Sequence, residues 1–440
     1  MLVFATSGGA SGATLPTAAR APNAQGAGRL QTVRVPMNRH DKADPSGGKI
    51  KHVVFVIQEN RSFNDLFEGF KGATTAKSGL DAKGKTIKLR RQDLAATWDI
   101  DHGVWSFLSD YSNGALNGWN GEGACCGQPK NFAYAYVPSD QIKPYWQMAA
   151  QYVLADHMFQ SNIDDSFIAH QYAIAAYANT AANYPSGAWG CDQSSGDTIN
   201  TLEQNRSIGP NIPVCFNNQT LADELDSAGL GWRYYAATTG DTGSIWSAYQ
   251  AIEHIYEGPD WVNDVMTPSS KFITDLQGGT LEPVTWITPS WANSDHSGNN
   301  SSTGPSWVSS VVNTIGQSQF WSSTAIFIIW DDWGGWYDPV APVYEDYDGL
   351  GFRIPMIVIS PYAKKGYVSH TQYETASIPR FIEDVFGLGQ LAAADTRAND
   401  PSGDCFDFNQ TPRRFRTISA DYSASYFLRQ REDHHVPDDQ

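Results

Sequence analysis

Three apolar runs in the chain stop abruptly at polar residues. The run at 53–57, VVFVI, follows a basic lead-in and ends on Gln58, Glu59, Asn60 and Arg61. An unbroken β-branched run of this length predicts a parallel strand buried on both faces. At 325–330 a second run, AIFIIW, passes straight into Asp331 and Asp332 and then a Gly-Gly turn. A third strand is predicted at 355–360, closed by proline and followed after a loop by the helical IPRFIEDVFGL. Shorter strand candidates lie at 284–291 and 232–237, and helical spacing fits 144–159, 167–180 and 220–229, the last with Thr220 as N-cap. Strands and helices alternate, which predicts a layered α/β domain with a mostly parallel sheet.

This pattern divides the chain. Residues 1–48 are a short apolar stub followed by an Ala/Gly/Thr-rich tract that cannot pack, and read as a disordered leader or the remnant of a signal peptide. Residues 49–440 read as one domain. Within it, about 184 to 261 is rich in Gly, Asn, Ser and aromatics, has little strand signal, and reads as an inserted cap or loop region.

Charge and cysteine content narrow the functional classes. A formal net charge of -17 excludes a protein that holds polyanions by bulk electrostatics, so no nucleic-acid partner is expected. A phosphate-bearing substrate would need a local cation. The five cysteines, Cys125, Cys126, Cys191, Cys215 and Cys405, include no zinc-finger pattern. An exported chain could pair Cys191 with Cys215, and adjacent Cys125 and Cys126 are poorly placed to pair with each other, but spacing leaves the connectivity open. No apolar run has the length of a membrane span. The leader points to export, either secreted or periplasmic in a bacterium.

Glu59, Asn60, Asp331 and Asp332 are hard oxygen donors at the ends of predicted core strands, where open α/β sheets place their ligand crevice. One divalent cation of the oxygen-preferring type, calcium or similar, suits that set. The plainer reading of any one of them is a solvated loop residue or a helix cap. Adjacent Asp331 and Asp332 argue against it, because burying both beside an apolar strand is costly without a compensating cation or donor.

HVVFVIQENRSFNDLFEGF, IIWDDWGGWYDPV and RIPMIVISPYAKKGYVSHTQY resemble signatures of the phosphoesterase family that contains bacterial phospholipases C and related acid phosphatases. The resemblance runs with gaps from Lys49 to about Gly389. It implies an alkaline-phosphatase-like three-layer α/β/α sandwich and a phosphoric ester hydrolase acting through a phosphoserine intermediate. It also implies metal ligation by Glu59, Asn60, Asp331, Asp332 and a nucleophilic hydroxyl, here Ser166. The substrate class is a phosphate ester, phospholipid or soluble. His102, in WDIDHGVW, and His296, in NSDHSG, match the family's Asp-His elements and suit phosphate binding or leaving-group protonation. His170 follows Ser166 by one helical turn and faces the same site or the core.

The chain departs from the family at several positions. Ser166 is flanked by Asp164, Asp165, Ile168 and Ala169 where relatives usually carry Gly-Pro before the hydroxyl and Pro-Asn after it. Ser166 could be simply an N-cap, and Ser161 is the fallback nucleophile. Pro339 and the run Glu374, Thr375, Ala376, Ser377 stand where relatives carry histidines, with His370 a possible substitute. These departures motivate the rival expectation, a catalytically impaired relative that binds phosphorylated lipids or surfaces. Trp333, Trp336 and Tyr337 read as packing residues before they read as a cation-π wall for an ammonium group.

Overall fold

The computed structural model describes residues 43–121, 128–185, 189–192 and 197–434. Most of the leader expected at 1–48, together with Cys125 and Cys126, lies outside the described residues. Eight strands form the central sheet: β1 (His52–Gln58), β2 (Val153–Ala155), β3 (Trp232–Tyr235), β4 (Val265–Met266), β5 (Val284–Ile287), β6 (Thr324–Trp330), β7 (Met356–Ile359) and β8 (Tyr367–Ser369). Their spatial order is β4-β3-β5-β1-β6-β7-β2-β8. Every neighbouring pair is parallel except the two that β7 makes, with β6 and with β2.

The long apolar runs take the central positions because both of their faces must be covered. β6 is buried along its whole length, and β1 from Val53 onward. Successive side chains on a strand point to opposite faces. Phe327 packs on Phe381 of a helix spanning Ser377–Phe386. Trp330, three residues on and therefore on the opposite face, packs on Tyr145 of a helix spanning Lys143–Gln151.

The main helices are α1 (Phe63–Phe67), α2 (Val104–Tyr111), α3 (Lys143–Gln151), α4 (Ser166–Ala175), α5 (Leu221–Ala228), α6 (Gly304–Gly316) and α7 (Ser377–Phe386). They sort into layers: α3 touches α6, whereas α4 touches α5 and α7. The expected α/β/α sandwich with a mostly parallel sheet is what forms.

Three local expectations are corrected. The helix expected at 144–159 stops at Gln151, and the apolar Val153, Leu154 and Ala155 become β2, buried between β7 and β8. A short apolar run has no periodicity to separate a buried strand from a buried helix. The helix expected at 167–180 spans Ser166–Ala175 and ends where Ala176 turns left-handed at φ 50°. The stretch 184–261 is not wholly an insertion: its strand β3 pairs with β4 and β5 in the central sheet, and α5 packs on α4. Trp232, Tyr234 and Tyr235 bury their rings there, so an aromatic-rich stretch with no aliphatic run still builds core. Outside the central sheet, the same stretch carries the disulfide Cys191–Cys215. Among the described residues no helix is long and apolar enough to cross a membrane.

Candidate active site

The last rung of the β1–β6 ladder pairs Gln58 with Trp330. The chain therefore leaves both strands side by side, Glu59 next to Asp331, at the carboxyl edge of the sheet. The backbone fastens this junction: Asp331 N–H donates to Gln58 O (2.8 Å), and Arg61 N–H to Asp332 O (3.0 Å). Asn60 sits in the left-handed region at φ 59°, which asparagine tolerates better than most residues. Its N–H donates to Asp331 Oδ1 at 2.9 Å. Gly334 follows at φ 60°, and a Cβ there would lie 2.1 Å from Asn60 O; only glycine lets the Gly-Gly turn approach so closely.

Four further side chains converge on this edge. Ser166 is the first residue of α4, and its Oγ donates to Asp332 Oδ2 at 3.1 Å. His170, one turn later, places Nε2 3.2 Å from Glu59 Oε1 and 3.7 Å from Asp331 Oδ2. His102 Nδ1 lies 2.6 Å from Ile100 O and its Nε2 lies 2.8 Å from Asn60 Nδ2. With Nδ1 protonated, Nε2 accepts from Asn60 and lies 3.6 Å from Asp332 Oδ2. His296 packs against Trp291 and Trp246, which stack on each other, and its ring centroid lies 6.3 Å from that of His102. The structure thus gathers Glu59, Asn60, Ser166, His170, Asp331, Asp332 and His102 into one buried cluster, with His296 beside it.

A divalent cation fits this cluster. Glu59, Asp331 and one nitrogen of His170 present ligand atoms within 4.8 Å of one another. Asn60 Oδ1 and Asp331 Oδ2 are buried without a hydrogen bond, and such atoms normally find a partner. Three carboxylates buried together also favour a positive charge among them. The donors are oxygens with one imidazole, a set suited to a hard or borderline ion.

Beside Ser166, burial pushes the carboxyl of Asp164 up to about 7, against the N–H groups of Asn183 and Asp165 that favour its charged form. Asp165 borders a cavity of about 380 Å³ lined also by Asp101, Gly103, Trp105, Asn183, Tyr184 and Asn200. Sequence reading missed this cavity because its lining comes from four separated stretches. The only signal was that Trp105 and Tyr184 are large aromatics in polar surroundings; both are exposed.

The other candidates lie elsewhere. Ser161 Oγ donates to Glu374 Oε2 (2.8 Å) and accepts from Ala376 N–H (3.0 Å), inside a network closed by Arg397. It is tied into a structural ion pair. Asp338, beside the anomalous Pro339, accepts from Arg353 through both oxygens (2.8 and 3.0 Å). His370 bonds to Asp156. Trp333, Trp336 and Tyr337 are buried in a satellite core with Trp119 and Phe352; they are packing residues.

Known proteins resemble this chain over most of its length. The chain is 24% identical to "Non-specific phospholipase C1" of Arabidopsis thaliana, over 78% of this chain and 68% of that protein. It is 24% identical to "Phospholipase C B" of Mycobacterium tuberculosis, over 77% of this chain and 74% of that one. Against "Hemolytic phospholipase C" of Pseudomonas aeruginosa the identity is 22%, and the chain spans 53% of that protein's length. A solved protein of the alkaline phosphatase superfamily from Vibrio parahaemolyticus overlays 80% of this chain and 69% of its own, with a TM-score of 0.38 and 11% identity. That likeness is too remote to add to the strand order. The profile of the Phosphoesterase family matches residues 50–389, a span that takes in β1, α4, β6 and β7. Because it covers well over half of the chain and every element that delivers the clustered side chains, this protein belongs to the phosphoesterase family, a family of phosphoric ester hydrolases.

Proposed function

We propose that the chain is a metal-dependent hydrolase of phosphate esters, of phospholipase C or acid phosphatase type, with Ser166 as its nucleophile. One observation carries the reading: Ser166 Oγ stands at the amino end of α4, 3.1 Å from Asp332 Oδ2, where helix N–H groups can receive a phosphate oxygen. Glu59, Asn60, Asp331, Asp332 and Ser166 are the residues that would hold one divalent cation, with His170 adjoining. When bound, the ion supplies Lewis-acid charge that favours the ionised Ser166 hydroxyl and offsets the negative phosphate.

The protein's own groups do the rest. Asp332 Oδ2 orients Ser166 Oγ for attack on phosphorus. Asn60, fixed by His102, presents its side chain to the same edge. The Ser166 hydroxyl releases its proton to solvent, the bond from Ser166 Oγ to phosphorus forms as the bond to the leaving alcohol breaks, and His296 gives that alcohol its proton and regains one from solvent. Water then cleaves the phosphoserine, releases the phosphate product and restores the Ser166 hydroxyl. His170 holds Glu59 and Asp331 at their spacing. The disulfide Cys191–Cys215 favours an oxidising compartment, in keeping with a secreted or periplasmic enzyme.

The test is release of p-nitrophenol from p-nitrophenyl phosphate and from p-nitrophenyl phosphorylcholine. Ser166→Ala abolishes both, and so does dialysis against a chelator, with recovery on adding back calcium. Full turnover in either arm overturns the assignment. The rival, a phospholipid-binding relative that does not hydrolyse, is favoured by the buried Asp164 and Asp165 beside Ser166; metal bound with no release from either ester would support it. A preference between the two esters decides between phospholipase C and phosphatase.

A further inference from the structure

A second cluster of ligand-type side chains lies on the same sheet edge, away from Ser166. β2 and β8 are parallel neighbours whose last pairing is Ala155 with Ser369. The next residues, Asp156 and His370, therefore emerge together, with His157 following. This repeats the strand-end logic that joins Glu59 to Asp331. β2 is two strands from β6 and β8 is three, which at the usual strand spacing separates the two clusters by roughly 10 to 15 Å.

The cluster is built rather than incidental. Asp156 is buried and pinned on every side: its N–H donates to Ser369 O (3.0 Å), its carbonyl accepts from Arg353 Nη1 (2.6 Å), and its Oδ2 accepts from Thr74 N–H (2.7 Å). His157 is pinned through its carbonyl by Tyr373 N–H at 2.8 Å. What remains is Asp156 Oδ1, and both imidazoles aim at it, His157 Nδ1 at 2.7 Å and His370 Nδ1 at 2.8 Å. Burial acts to raise the Asp156 carboxyl, but the hydrogen bonds from His157, Thr74 and His370 outweigh it and bring it down to about 2. The histidines are open to solvent, His157 by 28% and His370 by 58% of their side-chain surface.

The geometry points to a metal site here: Asp156, His157 and His370 bind one divalent transition cation of the zinc class, with water completing the shell. The three ligand atoms lie within 4.8 Å of one another. Two imidazole nitrogens and one carboxylate oxygen select zinc, cobalt or nickel over magnesium and calcium. Bonds of about 2.0–2.2 Å put ligand atoms roughly half an ångström farther apart than the present hydrogen bonds, a small opening for an exposed histidine. Each imidazole moves its proton from Nδ1 to Nε2, so no proton is lost from a neutral ring. The bound ion clamps the end of the edge strand β8 to β2.

The test is equilibrium dialysis of the full chain against zinc chloride at pH 7.5, comparing the unaltered protein with His157→Ala and His370→Ala. The expected result is one more zinc per chain in the unaltered protein than in either variant. The site's affinity falls at least about 100-fold on loss of one ligand, since even an outer-shell partner is worth 10- to 100-fold. Cobalt in place of zinc gives a visible absorption band that both variants lack. Asp331→Asn retains the histidine-dependent zinc, and both histidine variants retain p-nitrophenyl phosphate turnover. Failure at this cluster and failure at Ser166 are thus read separately. Equal zinc counts and identical cobalt spectra in all three proteins overturn the proposal.

Discussion

Replacing Asp331 by asparagine should stabilise the metal-free protein and remove the stability that a cation adds, two effects of opposite sign from one change. Glu59 and Asp331 present oxygens within 4.8 Å of each other in a buried site. With both ionised, Coulomb repulsion at an effective dielectric near 20 is about 3 kcal/mol. Asparagine keeps the carbonyl-type Oδ1 that accepts from Asn60 N–H, so the substitution removes charge while sparing that hydrogen bond. The unit Arg39–Gln440 should unfold with an entropy of about 0.8 kcal/mol/K at about 2.1 cal/mol/K per residue. In a chelator, Asp331→Asn should then melt about 4 °C above the unaltered protein. Calcium at about a thousand times its Kd adds about 4 kcal/mol, or about 5 °C, to the unaltered protein. A hundredfold weaker site keeps less than about 2 °C of that increment. Scanning calorimetry with chelator or with calcium measures both. A variant that melts below the unaltered protein in chelator, or that keeps the full calcium increment, refutes the assignment of Asp331 to a cation site.

Other changes probe the supports of the site. Arg353→Met leaves Asp338 buried without its bidentate partner and should cost about 3–5 kcal/mol, read as a lower denaturation midpoint at unchanged m-value. Burial pushes the Asp348 carboxyl up to about 7, while the Tyr172 hydroxyl opposes the shift. The folded state therefore binds the extra proton, and the stability it contributes is complete below pH 4 and lost as pH rises through 7. Asp348→Asn should gain on the unaltered protein across that window by about 4 kcal/mol, and parallel pH profiles of Tm would contradict this. Gly334→Ala forces its new methyl toward Asn60 O and should lower kcat by tenfold or more through displacement of Asn60, while the circular dichroism spectrum stays unchanged.

Particular residues show what the sequence makes legible. β1 and β6 are plain because an unbroken apolar run ending on charged residues has one sensible reading, a doubly buried strand whose end meets the ligand crevice. Glu59, Asn60, Asp331 and Asp332 inherit their position from it. β2 is hidden because Val153–Ala155 continues the apolar pattern of α3 with no turn residue between them. β3 is legible as the strand expected at 232–237, but its place in the central sheet is not, because Trp232–Tyr235 carries its apolar surface in aromatic rings. His170 is ambiguous by spacing alone, and only the packing of α4 against the β1–β6 junction aims it between Glu59 and Asp331. His370 is lost to sequence reading for a similar reason: its partner Asp156 is 214 positions away, and only the adjacency of β2 and β8 joins them.

The placement of β1 also governs how the molecule is made. Its first strand in chain order becomes a central strand, yet its neighbours begin at Val284 and Thr324. During synthesis from the amino end, the run VVFVI has no ladder partner until more than two hundred further residues have followed. Contacts of such long sequence separation fold slowly and leave apolar strands open to misassociation. The same delay keeps Glu59 apart from Asp331, so a nascent chain cannot yet assemble the buried cluster at the carboxyl edge of the sheet. That cluster forms only when the sheet closes around its oldest strand.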